Sequence, residues 1–241
     1  MSLDIEAASG ATDSIAATGW ANDEAALFSR IAEDLAAQSW SVIPNALPAR
    51  LSAALRQQLL ETGTADFTPA GIGRGAGHVI AEIIRRDEIR WIEGVTAAEK
   101  QWLDWSGRLQ SYLNRRLYLG LFSFESHFAH YRPGAFYRKH VDAFKAQPGL
   151  REANKESSNR LLSLVAYFNG DWLPEYGGEL VLYAADGQSE LGKVLPTIGT
   201  LVIFLSEEVP HEVLPAQRDR FSIAGWFLVN QTRHARTDPP R

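Results

Sequence analysis

Along the first half of the chain the apolar positions fall at helical spacing. From Asn22 to about Ser39, the residues Ala25, Leu27, Phe28, Ile31, Leu35 and Ala36 recur every three or four positions, and Leu51 to about Leu60 repeats the pattern after Asn-Ala-Leu-Pro-Ala. Both stretches predict amphipathic helices. A third helix is predicted from about Thr96 to Leu119, with Trp102, Trp105, Leu109, Tyr112, Leu113 and Leu117 along one side, the habit of a helix laid on a sheet. The two tryptophans read as core rather than as a cofactor box. From Ser123 onward the texture changes to short runs rich in β-branched and aromatic residues, separated by turn signals: SFESHFAHYR, FYRKHVDAF, RLLSLVAYFN, GELVLYAADG, KVLPTIG, TLVIFLS, HEVLPA and RFSIAGWFLV. Strands of this number predict a sandwich or a jelly-roll barrel, mainly β with supporting N-terminal helices.

The connections divide the chain. Residues 1–20, rich in Ala, Ser, Thr and Gly, read as a disordered leader, 21–120 as a helical scaffold of the same domain, 121–230 as the β core and 231–241 as a flexible tail. The polar stretch Ala143–Asn159 is too long for a hairpin, and GDWLPEYGG after Asn169 forms a second prominent turn. Long loops in compact barrels act as lids over a mouth.

Composition narrows the function classes. With 241 residues and 45% hydrophobic content, one domain can bury a sizeable core. The net charge of −5 is spread along the chain with no basic stripe, which disfavours nucleic acid as the main partner. The chain has no cysteine, which excludes disulfides, thiolate metal sites and cysteine nucleophiles and fits a reducing compartment. Acidic residues stand where a signal peptide needs positive charge, and no apolar run approaches the roughly 20 residues of a membrane span. The expectation is a soluble, cytoplasmic protein; nothing in the sequence marks its oligomeric state.

The stretch HYRPGAFYRKHVDAFK, His130 to Lys145, crowds two histidines, two tyrosines and an aspartate together. On a strand, His140 and Asp142 project to one face with Val141 turned away, forming two prongs of a metal site. A His-x-Asp triplet alone arises often by chance, so a third donor is needed. His211, in VPHEV at the start of a late strand, supplies it. Two histidines and one carboxylate leave three positions of an octahedron open, the arrangement of non-haem Fe(II) oxygenases. Beyond it, alternation in RFSIAGWFL places Arg220, Ser222, Ala224 and Trp226 on one face and Phe221, Ile223 and Phe227 on the other. A guanidinium buried among small residues requires an anion. That anion is either the far carboxylate of an iron-chelating dicarboxylate, held by a bidentate fork, or Asp219 or Glu212 in a structural salt bridge.

His140-x-Asp142, His211, Arg220 and Trp226, on strands preceded by helices, resemble the 2-oxoglutarate- and Fe(II)-dependent oxygenases. The likeness is to the prolyl 4-hydroxylase branch, which includes bacterial relatives of the oxygen-sensing prolyl hydroxylases. It covers roughly Trp40 to Val229, and VAYFNGDWLPEYGGEL matches a family pattern of tyrosine, apolar residue, asparagine, Asp-Trp and a Gly-Gly pair. The resemblance implies a double-stranded β-helix core with His140, Asp142 and His211 binding Fe(II). It implies that Tyr167 and Arg220 hold the far carboxylate of 2-oxoglutarate and that Tyr131 lies near the metal-bound end. Arg160 and Trp226 would contact a substrate peptide, and Ala143–Asn159 would be the mobile loop closing over it. Tyr137 is expected to be structural or at the mouth, and Val165, Leu180, Phe204 and Ala224 to form the apolar wall.

The implied activity uses O2 to hydroxylate a prolyl residue in an exposed loop of a protein, releasing succinate and CO2, with ascorbate admitted as a reductant. By the same resemblance, a translation factor is a candidate partner. Two other readings stay open: hydroxylation of a free amino acid or other small molecule on the same iron centre, and a non-catalytic module that senses 2-oxoglutarate or holds a peptide. The second ranks last, because the chain keeps every ligand and the anchoring arginine. Other motifs are set aside. GIGRGAGHVIAEIIRR from Gly71 satisfies a Gly-x-Gly-x-x-Ala pattern but follows no strand and reads as a loop. His127 and His130 should face opposite sides of a strand and be packed or surface residues, His78 and His234 lack partners at ligand spacing, and no nucleophile elbow supports a hydrolase.

Overall fold

The structure is a computed structural model, and it describes residues 23–63, 65–71, 83–143 and 159–230. The expected leader, the tail, nearly all of the Ala143–Asn159 segment, the glycine-rich stretch after Gly71, His78 and His234 lie outside the described residues.

Three helices form where the periodicity places them. Helix α1 (Glu24–Gln38) starts at Asp23, whose carboxylate accepts the Ala26 N–H at 3.0 Å, and buries Leu27, Phe28, Ile31, Ala32 and Leu35. Helix α2 spans Ala49–Thr62. Helix α3 (Ala97–Leu117) opens with a capping box. The Thr96 hydroxyl accepts the Glu99 N–H at 3.1 Å, while the Glu99 carboxylate turns back to accept the Val95 N–H at 3.0 Å. Trp102 and Trp105 are fully buried along the inner face of α3, as expected of core residues.

Eight strands follow one another in the β half: β4 (Leu121–Tyr131), β5 (Tyr137–His140), β6 (Arg160–Tyr167), β7 (Leu180–Tyr183), β8 (Glu190–Val194), β9 (Leu201–Leu205), β10 (His211–Val213) and β11 (Arg220–Val229). Seven lie within or across the expected runs, whereas β8 precedes KVLPTIG and shares only Lys193 and Val194 with it, because Pro196 cannot continue the ladder. Three short strands, β1 (Trp40–Ile43), β2 (Thr68–Pro69) and β3 (Glu88–Trp91), join them from the helical half. They were not expected, because each is too short to show its own alternation and is held by its neighbour instead. A seven-stranded sheet of order β1-β9-β6-β11-β4-β3-β2 faces a four-stranded sheet of order β5-β10-β7-β8, and every strand pairing is antiparallel. This is the expected jelly roll.

The central strands of the large sheet are buried on both faces, and the pleat sorts their residues. Phe128, Leu162, Leu164, Ala166, Leu201, Ile203, Ile223 and Phe227 pack outward against the helices. Ala129, Tyr131, Tyr167, Val202 and Phe204 point inward, where Leu180, Leu182, Val194, Val209 and Val213 complete a second core between the sheets. A one-residue slip in β6 or β11 would exchange these two sets, so the register that builds the core also aims the polar side chains of the inner wall. No helix among the described residues is long and apolar enough to cross a membrane.

Candidate metal centre

Strands β5 and β10 are neighbours in the small sheet, with His140 directly opposite His211. Pairing thus joins two residues far apart in sequence. Asp142 reaches them by a different route from the one expected. Strand β5 ends at His140, and Asp142 stands in the bend that follows, its N–H directed to the Ser206 carbonyl oxygen at 3.2 Å. The bend, not strand alternation, turns its carboxylate back. Asp142 Oδ1 lies 3.6 Å from His140 Nε2, and Oδ2 lies 3.7 Å from His211 Nε2. The three donor atoms fall within 4.8 Å of one another, and this is the one such cluster among the described residues.

Second partners orient each donor. His140 Nδ1 is 2.7 Å from the Arg138 carbonyl oxygen and His211 Nδ1 is 3.0 Å from that of Val209. A carbonyl can only accept, so the Nδ1 atoms carry the protons and the Nε2 lone pairs face the carboxylate. Tyr137 stacks on the His140 ring with centroids 3.6 Å apart, under Arg85, and Phe204 packs 4.7 Å from the His211 ring. Ser163 Oγ donates to Asp142 Oδ2 at 2.6 Å and is itself 2.9 Å from Ser206 Oγ.

The electrostatics suit a cation. Burial lowers the His211 pKa to about 4, helped by His140, so its imidazole is neutral at ordinary pH. Burial alone would raise the Asp142 carboxyl, but His211, His140 and Arg160 together hold it well below the usual carboxylate range. Two imidazoles whose Nε2 atoms face an ionised carboxylate are the donor set of a 2-His-1-carboxylate site.

The same inner wall holds an unneutralised cation. Arg220 is 1% exposed; its Nε donates to the Gly178 carbonyl at 2.8 Å and Nη1 to Ser222 Oγ at 3.4 Å. Gly178 has φ +75°, and a Cβ there would lie 2.8 Å from Ala216 Cβ and 3.2 Å from Arg220 Cδ, so glycine is required for this close approach. Neither alternative partner is available: Asp219 is 2.7 Å from His130 Nε2, and Glu212 accepts a short bond from the Tyr183 hydroxyl. Among the described residues Arg220 has no ion pair. Tyr131 and Tyr167 flank its guanidinium, at 4.8 and 5.0 Å from their ring centroids. The Tyr167 hydroxyl is buried without a well-formed hydrogen bond, although the guanidinium lies beside it. Burial raises this phenol to about 12 against the pull of Arg220, so it is a proton donor. Burial also raises Tyr131 well above its ordinary value, with Asp87 adding to the rise. A buried guanidinium without an anion beside a buried hydroxyl without an acceptor is the complement of a carboxylate.

The remaining predicted residues gather at another part of the wall. Arg160 lies 3.6 Å above the Trp226 ring and is paired with Glu125 Oε1 at 2.7 Å. The Trp226 indole N–H is buried without a partner. His127 packs between Trp226 and Trp91, at 5.4 and 5.2 Å, and so is a packed inward residue, while His130 is packed on the outward face. Val165, Leu180 and Phe204 belong to the inner core, and Ala224 lies between Val165 and His127 in the sheet register.

Sequence reasoning missed two features. Ser163, which braces Asp142, shares the inward alternation of β6 with Tyr167, and that spacing could have revealed it. The buried fork of Arg85 on Asp87, at 2.7 and 2.6 Å, follows residues with no periodic signal and could not be read from the chain.

These features define a jelly roll with a His-Asp-His donor cluster and a buried arginine that has no ion pair among the described residues, and residues 126–228 match the 2OG-Fe(II) oxygenase superfamily. The chain belongs to that family. A prolyl-4-hydroxylase from Pseudomonas putida is 40% identical and superposes with a TM-score of 0.70, over 84% of this chain and 99% of that one. A prolyl hydroxylase from Trichoplax adhaerens, solved with a hypoxia-inducible factor oxygen degradation domain peptide fragment, is 26% identical with a TM-score of 0.72, over 86% of this chain and 91% of that one. Human Egl nine homolog 1 is 26% identical over 158 residues, 60% of this chain and 33% of that protein. The chain thus spans about a third of the length of that relative.

Proposed function

We propose that this protein is a 2-oxoglutarate- and Fe(II)-dependent dioxygenase that hydroxylates a prolyl residue of a protein substrate. One observation carries the reading: a buried guanidinium with no ion pair among the described residues, Arg220, lies beside the buried Tyr167 hydroxyl in a jelly roll that also carries the His140, Asp142 and His211 donors, which leaves room in the chemistry for an added anion. A structural ion-pair network would have neutralised Arg220.

His140 Nε2, Asp142 and His211 Nε2 would hold the iron. Arg220 and Tyr167 would receive the distal carboxylate of 2-oxoglutarate, with Tyr131 closing the side of that pocket. Bound iron, 2-oxoglutarate and O2 supply the oxidising chemistry, which places one oxygen atom on the prolyl carbon and leaves succinate and CO2. The protein keeps the Nδ1 protons on the Arg138 and Val209 carbonyls and braces Asp142 through Ser163. It excludes water with Val165, Leu180 and Phe204. Toward the substrate, Trp226 would supply its indole N–H, which has no partner in the protein, and Arg160, stacked on that ring, a cation for a peptide carbonyl. Aromatic walls with a single polar handle suit the rigid, apolar ring of proline.

The relatives solved or named as prolyl hydroxylases support this substrate class. The family resemblance makes a translation factor the first protein to test, and the cysteine-free composition supports a cytoplasmic setting. The test is mass spectrometry of candidate proteins after incubation with the enzyme, Fe(II), 2-oxoglutarate, ascorbate and air. One added oxygen on a proline, coupled to succinate, is expected. Turnover stimulated only by a free amino acid or metabolite would overturn the protein-substrate reading.

A further inference from the structure

Two of the three metal donors are tied to one short turn. Strand β9 ends at Leu205, and the chain folds back at once, with the Glu208 and Val209 N–H groups both donating to the Leu205 carbonyl, at 3.1 and 3.3 Å. At the start of this turn the Ser206 carbonyl accepts the N–H groups of Asp142 and Ala143, each at 3.2 Å. At its end the Val209 carbonyl holds His211 Nδ1 at 3.0 Å. His140, the third donor, is set opposite His211 by the pairing of β5 with β10. The turn is itself held from the helical half. Ser39, the left-handed residue that closes α1, accepts the Leu205 N–H at 2.9 Å and donates from Oγ to Glu208 Oε2 at 2.8 Å.

The Ser206 side chain adds a second link to the same carboxylate. It is fully buried, and its hydroxyl lies 2.9 Å from Ser163 Oγ, which in turn lies 2.6 Å from Asp142 Oδ2. Counting protons gives this chain a direction. The Asp142 carboxylate is ionised and only accepts, so the single Ser163 proton points to Oδ2. Ser163 can then only accept from Ser206, whose own proton points to Ser163. A hydroxyl that accepts a bond becomes a stronger donor, so Ser206 both aims and strengthens the Ser163 bond to Asp142. Asp142 stands beyond the end of β5, where no strand ladder fixes it, and these contacts take the place of one.

We propose that Ser206 is a positioning residue for the metal centre, its hydroxyl acting through Ser163 on the Asp142 carboxylate that its backbone carbonyl also helps to place. This rests on the reading of His140, Asp142 and His211 as metal ligands. Ser206→Ala removes the hydroxyl and leaves the carbonyl, so it isolates the side-chain relay from the backbone tether.

The experiment is titration of the full-length protein with Mn(II) against a competing chelator, in wild type, Ser206→Ala, Ser163→Ala, the double variant and His211→Ala. The visible absorption of the Co(II)-loaded proteins is recorded beside it, because it reports donor geometry rather than stability. Ser206→Ala should raise the Mn(II) Kd about three- to tenfold, the loss of one buried hydrogen bond beside a ligand, and shift the Co(II) bands in the same sense as Ser163→Ala. The double variant should match Ser163→Ala alone within about twofold, since without Ser163 the Ser206 hydroxyl has nothing to act through. An unchanged Mn(II) Kd or an unchanged Co(II) spectrum in Ser206→Ala, or losses that multiply in the double variant, would overturn the proposal even where His211→Ala abolishes binding as the metal reading requires. Full metal affinity in His211→Ala would overturn the metal reading and this proposal together.

Discussion

Replacing Tyr167 with phenylalanine should move stability and cosubstrate affinity in opposite directions. A buried tyrosine that donates a good hydrogen bond loses stability when its hydroxyl is removed. Tyr167 is fully buried and its hydroxyl has no well-formed bond, so the folded protein carries a desolvated polar group. Leaving such a group unpaired costs about 1–3 kcal/mol. The Arg220 guanidinium, 5.0 Å from the ring centroid, offsets part of that cost, which puts the effect near the lower end, about 1 kcal/mol. Tyr167→Phe should therefore raise the Tm of the cosubstrate-free protein by about 2–4 °C. With 2-oxoglutarate the sign reverses. In the proposed site the hydroxyl would donate to an ionised carboxylate, a bond worth about 1.5–3 kcal/mol, so affinity should fall about tenfold to a hundredfold. Thermal unfolding with and without 2-oxoglutarate, beside a calorimetric Kd for the Mn(II)-loaded protein, reads both quantities on one sample. A destabilised variant with unchanged affinity would refute the reasoning, because it would mean that the hydroxyl is satisfied within the protein and does not meet the cosubstrate.

Other consequences follow from the same geometry. Ser163→Ala removes the 2.6 Å donor to Asp142 and should weaken metal affinity about tenfold or more, measured by competition with a chelator. His127 is buried, and burial with help from Arg85 lowers its pKa to about 4. Its neutral form is favoured in the folded state, so its contribution to stability is present above the unfolded value of about 6.5 and is lost as pH falls toward about 4. The loss should amount to roughly 2–3 kcal/mol, and His127→Met should lack this part of the acid destabilisation in urea titrations across that window. Arg160→Gln should raise KM for a prolyl peptide about tenfold with a smaller change in the 2-oxoglutarate Kd, since Arg160 packs on Trp226, six residues along β11 from Arg220, and pairs with Glu125.

How far the sequence reaches is visible residue by residue. Helical spacing located α1, α2 and α3, and two-residue alternation in β11 correctly set Arg220 and Ser222 apart from Ile223 and Phe227, because both faces of that strand are buried against chemically different surroundings. His140 was legible from its two-residue spacing to Asp142 and His211 from its place at the start of a late strand, and the pairing of β5 with β10 sets the two histidines opposite each other. The route of Asp142 was not legible. A bend after His140, tied to the Ser206 carbonyl, replaces the expected strand, and that tie is a tertiary contact. Strands β1, β2 and β3 were equally silent, being four, two and four residues long and defined only by their pairing to β9, to each other and to β4. The Arg85 and Asp87 fork lies two residues apart in a segment of mixed charge, and only its burial distinguishes it from a solvated ion pair.

The central claim is that the His140, Asp142 and His211 cluster and the Arg220 and Tyr167 receptor form one site for Fe(II) and 2-oxoglutarate. It is tested most directly by anaerobic titration of the Fe(II)-loaded protein with 2-oxoglutarate, following the weak visible charge-transfer absorption of the chelate. The account predicts an absorption that saturates in the wild type, requires higher concentrations in Arg220→Ala and is absent in His211→Ala. Iron bound to the wild type with no absorption at any 2-oxoglutarate concentration would contradict it.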